Sequence, residues 1–109
     1  MGGIWRWEVD EMGSLCLESI HKIHQPSERF RVSPTQYPAG YKFSGIARAG
    51  RKYVLAGAFS ITVGTSEWEL QAGDIADLPE GEYQFRVMGS DPVNFVSVWE
   101  LPPEVRLDS

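Results

Sequence analysis

The feature that most constrains this chain begins at Tyr41. From there to Glu100, short runs rich in aromatic and β-branched residues alternate with glycine-bearing turns. The runs are Tyr41 to Ala47, Lys52 to Ala56, Phe59 to Val63, Glu67 to Leu70, Tyr83 to Met88 and Val93 to Glu100. Gly50, Gly57, Gly64, Gly73 and Gly81 punctuate them, as does Gly89 with Asp91-Pro92. Ring-bearing and branched side chains suit a pleated, half-buried surface. Runs at roughly 8–12-residue spacing predict an all-β sandwich or barrel. No segment holds a helical apolar period for three turns, so no long helix competes with this pattern.

The residues before Tyr41 are less regular. Ile4 to Val9 reads as a short edge strand. Two readings then stand side by side. Asp10 caps a short helix running to Cys16 or slightly beyond, or Leu15 to Ile20 forms a second strand after a Met12-Gly13 turn. Phe30-Arg31-Val32 reads as a strand, and Pro34, Pro38 and Gly40 as a loop. The expected organisation is a single domain over 1–109. Within it, 1–36 form N-terminal strands or a short helix packing on a barrel, 37–101 form the core, and 102–109 are a tail.

A chain of 109 residues is one domain, long enough to bury a core without staples. Its formal charge of −5 opposes a phosphate backbone, so nucleic acid is not an expected partner. Arg48, Arg51 and Lys52 are the only tight basic group in the middle of the chain. Cys16 is the sole cysteine, which excludes an intramolecular disulfide and fits a reducing cytoplasm. The N-terminal residues show no basic flank followed by an apolar core, so no signal peptide is expected. The apolar stretches are too short to span a membrane as a helix.

Two segments together resemble the cupin superfamily of small β-barrels. Tyr53 to Gly57 followed by Phe59 to Val63 is similar to the end of the first cupin motif and the hairpin that leaves it. Gly73 to Gly81 supplies a Gly, five residues, then Pro-x-Gly, like the start of the second motif. Val93 to Trp99, after Asp91-Pro92, sits where the family places a closing strand. The resemblance covers about residues 37–101 and implies a double-stranded β-helix, or jelly-roll, barrel and a homodimer. Metal-dependent cupins supply His-x-His and Glu from the first motif and a further His from the second. Counting back seven from Gly57 puts the Glu position at Gly50. The His-x-His positions fall at Phe43 and Gly45, or at Ser44 and Ile46. By strict spacing the second-motif His falls at Gln84, whereas strand alternation turns Tyr83, Phe85 and Val87 inward and Gln84 and Arg86 outward. None of these residues is a His or a carboxylate, so neither a metal nor another cofactor is expected.

The candidate ligand-binding residues are Tyr41, Phe43, Tyr53, Tyr83, Gln84 and Phe85 around the former metal position, with Arg48 and Arg51 at the mouth. The rings either fill the barrel, as side chains do in small barrels, or line a pocket with tyrosine hydroxyls as polar handles. Arg48 and Arg51 flank Gly50, and either grip a carboxylate or phosphate or extend into solvent. His21, His24 and Cys16 are the only imidazoles and the only thiol. A polar surface for the first two and a packed thiol are simpler readings than zinc, which needs more ligands. Glu67 with Glu69, and Asp74 with Asp77, read as solvated carboxylates. No Gly-x-Ser-x-Gly elbow occurs, and no glycine-rich loop opens onto a helix.

The functional expectation is therefore metal-independent binding of a small organic ligand in the barrel, with an anion as one option. Two alternatives stand beside it. One is a metal-free isomerase or epimerase on a sugar-like substrate, with a tyrosine as base. The other is an interaction module using sheet edges and Trp5, Trp7, Trp68 and Trp99.

Overall fold

In a computed structural model, residues 3–9, 13–25, 27–47 and 49–101 are described. They form nine strands and one α-helix. The order is β1 (Gly3–Arg6), α1 (Leu17–Ile23), β2 (Phe30–Tyr37), β3 (Lys42–Ala47), β4 (Gly50–Ala56), β5 (Ala58–Val63), β6 (Ser66–Gln71), β7 (Asp74–Leu78), β8 (Gly81–Met88) and β9 (Val93–Glu100). A five-stranded sheet, β1-β7-β4-β9-β2, faces a four-stranded sheet, β3-β8-β5-β6. Every pairing is antiparallel. The all-β jelly-roll expected from the glycine-punctuated runs is the observed architecture.

Alternation along the strands divides the apolar side chains between two cores. Val54, Ala76, Leu78, Val93 and Phe95 of the large sheet meet Phe59, Ile61, Leu70, Phe85 and Val87 of the small one inside the barrel. Their neighbours Tyr53, Ile75, Val96 and Val98 point the other way and form a second core with Trp7 and Ile20. That second core explains α1. Leu17 and Ile20 share one helical face and pack onto the outside of the large sheet. Trp7 joins them and donates its indole N–H to the carbonyl of Gly13 at 2.7 Å.

Three readings of the sequence are corrected. Leu15 to Ile20 is not a strand, and the helix begins at Leu17, preceded by Cys16 in an extended N-cap conformation. Asp10 and Met12, which the two earlier readings used, lie outside the described residues. Pro34 is not in a loop but within β2, paired with Val96. It is tolerated because β2 is an edge strand and one flank needs no N–H donor. Third, β7 was not among the expected runs. It is short and carries no ring, yet its residues are nearly all buried, because it lies between β1 and β4 with a core on each face.

Asp74 and Asp77 on that strand are also not free solvated carboxylates. Each stands directly across from an arginine, Arg6 opposite Asp74 and Arg51 opposite Asp77, and each pair closes to 2.7 Å. The turn between β4 and β5 requires a glycine. Gly57 joins β4 to β5 with φ +78°, and a Cβ there would collide with the carbonyl oxygen of Pro92.

Candidate functional site

The barrel is filled through its middle and open at one end. Phe59 and Phe85 stack with ring centroids 4.6 Å apart, and Phe95 lies 5.4 Å from one and 5.6 Å from the other. None of the three is more than 4% exposed. Phe43 packs on Phe85 at 5.2 Å. Tyr37, which the sequence reading passed over, touches Phe43, Phe85 and Phe95 and stacks on Tyr41 at 4.8 Å. Tyr37 and the 40%-exposed Tyr41 thus close the end of the barrel where β9 begins.

Side chains become small toward the other end. On the small sheet, Gly45 stands opposite Tyr83, and a Cβ at Gly45 would press on the Tyr83 ring at 3.3 Å. On the large sheet, Lys52 stands between Ala76 and Ser97. Gly50 follows it toward the rim, where a Cβ would meet the Val98 carbonyl oxygen at 2.9 Å. The space these residues leave is a cleft of about 310 Å³ bordered by Gly50, Lys52, Leu78, Tyr83, Ser97 and Trp99.

Lys52 is the group the sequence reading missed. It lies on the inward face with Val54, and its ammonium donates to Ser97 Oγ at 2.7 Å. Nζ also sits 4.7 Å from the centroid of the Phe95 ring, within range of a cation–π contact. No carboxylate among the described residues pairs with it. Removal from water disfavours the charged form and pushes its pKa down to about 8. The signal was present in the sequence but out of phase. Taking Tyr53 as inward sends Lys52 outward, and a one-residue slip exchanges the two faces of a strand.

Tyr53 is accordingly corrected. It is 1% exposed, but in the outer core beneath α1, where its ring meets Trp7 edge-on. Its hydroxyl shares a 2.8 Å hydrogen bond with His24 Nε2. His24 is therefore no plain surface residue. Its pKa is lowered, first by burial, then by the charges of Arg51 and His21. His21 is exposed on α1, and Cys16 contacts Ser19 at 3.2 Å, so the two imidazoles and the thiol do not converge on one point.

Arg51 also borders the cleft, but its guanidinium is engaged elsewhere. It holds Asp77 through two hydrogen bonds, at 2.7 and 3.2 Å, and lies under the Trp5 ring at 4.8 Å. Its pKa is raised, chiefly by the Asp77 hydrogen bond. Arg48 lies outside the described residues. Gln84 is exposed on the outer face of the small sheet, while Tyr83, Phe85 and Val87 turn inward as alternation required. Tyr83 packs edge-on against Phe43 at 5.7 Å, and burial followed by Tyr37 raises its pKa.

Two antiparallel sheets closed around a filled core, with a cleft at one mouth, define a double-stranded β-helix barrel. More particularly, the chain has the cupin fold. It superposes on the Clostridium difficile EutQ protein with a TM-score of 0.58 and 19% identity, over 91% of this chain and 68% of that one. A cupin superfamily protein from Desulfitobacterium hafniense gives 0.57 and 10% identity, over 94% and 79% of the two chains. The Schizosaccharomyces pombe Cnp3 cupin domain gives 0.55 and 16% identity over 69% of this chain, and this chain spans 56% of that one. No protein-family model matches the sequence, and no curated protein does.

The strands sort the residues that the cupin resemblance places at metal-ligand positions. Phe43 and Gly45 belong to the inward row, whereas Ser44 is exposed and Ile46 is 82% exposed. With Gly50 and Tyr83 they offer a single phenol and no imidazole or carboxylate. Among the described residues no three His, Cys, Asp or Glu side chains gather to hold an ion. The ammonium of Lys52 borders the same space and repels a cation. These residues do not fit a first-row transition metal.

Proposed function

We propose that this protein binds a small organic anion in the cleft, with the Lys52 ammonium as its charged contact. The observation that carries this reading is a lysine withdrawn into the barrel, held by Ser97, and facing no carboxylate among the described residues. An ammonium removed from water is costly unless an opposite charge accompanies it. A bound carboxylate or phosphate supplies that charge. Ser97 and Tyr83 add hydroxyl contacts, and Leu78 and Trp99 give apolar walls, the usual mixture in small-molecule sites. The volume of about 310 Å³ suits a ligand of a few heavy atoms.

The test is calorimetric titration with acetate, citrate, glycerol phosphate and inorganic phosphate, in buffers of different ionisation enthalpy. An anion beside Lys52 raises its pKa, so binding near pH 8 takes up protons. Lys52→Met abolishes both the binding and the proton uptake. Failure of every anion to bind, or binding indifferent to Lys52→Met, contradicts the reading. The isomerase alternative finds less support. Tyr53, the tyrosine beside Arg51, lies buried under α1 rather than in the cleft, and burial raises the pKa of Tyr83, which leaves less of the phenolate that a catalytic base requires.

A further inference from the structure

The cleft has a feature that anion binding alone does not require. Its cation is a primary amine rather than a guanidinium, and it stands at the inner wall, between Ser97 and the Phe95 ring. Arginine makes the better fixed clamp for a carboxylate, because its forked donors match both oxygens and it stays charged. A lysine in an apolar recess is the arrangement that favours nucleophilic attack on a carbonyl.

We propose that Lys52 condenses with small aldehydes or 2-oxo acids, its Nζ forming an imine with the ligand's carbonyl carbon inside the cleft. This inference rests on the reading that the cleft admits small anions, and it names their class. The chemistry closes without an oxidant, a reductant or a metal. The neutral amine's lone pair attacks the carbonyl carbon, and the π electrons move to oxygen. A proton passes from nitrogen to that oxygen to give the carbinolamine. A second proton then joins the hydroxyl, which leaves as water while the nitrogen lone pair forms the C=N bond. Loss of the remaining N–H proton gives the neutral imine, and one water has been released. Ser97 Oγ accepts an N–H and fixes the direction of the lone pair. Tyr83, kept protonated by its surroundings, borders the same cleft and is the donor for the departing hydroxyl. A carboxylate on the ligand lies in the mouth when its carbonyl carbon reaches Nζ.

The chain carries its own controls, since Lys22, Lys42 and Lys52 are its only lysines and the first two are exposed. The intact protein is incubated at pH 7.5 with glyoxylate and sodium cyanoborohydride, which converts each imine to a stable carboxymethyl-amine. Peptide mass mapping then follows the rate at each lysine. A lysine that titrates near 8 has on the order of a hundredfold more neutral amine at this pH than an ordinary one. We therefore expect Lys52 to be labelled at least tenfold faster than Lys22 or Lys42, and expect that preference to vanish in denaturing urea. Labelling of Lys52 no faster than of the other two overturns the proposal. Acetate, which has the charge without an electrophilic carbonyl, separates the two claims. If acetate binds by calorimetry but glyoxylate does not label Lys52 selectively, the imine fails and anion binding stands. If neither occurs, both fail.

Discussion

Replacing Lys52 by methionine keeps an unbranched side chain of similar reach and deletes its charge. The fall of its pKa from the ordinary 10.5 to about 8 fixes the scale of the effect. At about 1.4 kcal/mol per pH unit, burying the ammonium costs the fold about 3 kcal/mol. Loss of the Ser97 hydrogen bond returns about 1 kcal/mol of that. The variant is therefore more stable than the parent at pH 7 by about 2 kcal/mol, which for a chain of this size raises Tm by roughly 10 °C. The sign depends on pH. Below about 8 the folded lysine is charged and the full cost applies. Between 8 and 10.5 the folded state sheds its proton before the unfolded state does, so the parent gains stability as pH rises. Above 10.5 the amine is neutral in both states and the variant's advantage disappears. Urea denaturation of both proteins at pH 7 and pH 10 measures this, because the other titrating groups cancel in the difference. A gap that is constant with pH, or a variant less stable at pH 7, refutes the reasoning. The same substitution that stabilises the barrel removes its ligand contact, the usual opposition of stability and function at a binding site.

Three further outcomes follow from other parts of the structure. His24 has a lowered pKa, caused first by burial, so its contribution to stability is present above its ordinary 6.5 and is lost as pH falls through the folded value. His24→Gln retains a partner for Tyr53 and flattens the loss of stability between pH 7 and pH 5, as thermal melts will show. Gly57→Ala destabilises by several kcal/mol, because the strained backbone and the Pro92 carbonyl oxygen both reject a Cβ. Gly64→Ala, with positive φ but open space around it, costs only about 1 kcal/mol in the same denaturation assay. Arg51→Ala breaks an ion pair whose side chains are more than one-third exposed. It lowers stability by about 0.5–1 kcal/mol and weakens anion binding far less than Lys52→Met does, as calorimetry will show.

The strands after Tyr41 were legible because their side chains announce their faces. Phe59, Ile61, Phe85 and Val87 are apolar at every second position, with polar residues between them. Tyr83 was placed inward on the same grounds, whereas Phe43 came from motif spacing, which left Ser44 as the other choice. Strand β4 gave no such guide. It is apolar on both faces, since Val54 fills the barrel while Tyr53 and Leu55 pack on the outer core. Its register is also interrupted by an irregularity between Val54 and Ala56. Alternation loses its meaning where both faces are buried. The phase error there hid Lys52 and misplaced Tyr53 together. The same cause concealed β7, whose Ile75 and Ala76 serve different cores. The helix was expected too early in the chain for a different reason. Two turns with Leu17 and Ile20 as anchors are too short for a period to emerge, and packing on the large sheet rather than intrinsic propensity stabilises them.

One amine is central to the cleft, and that amine can be watched directly. Carbon-13 labelling of the lysine ε-carbons gives one NMR resonance for each of the three lysines, followed from pH 6 to 12 with and without acetate. The structure predicts that the Lys52 resonance titrates near 8 and that acetate moves its midpoint upward. A Lys52 resonance that titrates at the ordinary 10.5 and does not respond to acetate would contradict a barrel whose cleft is built around this lysine.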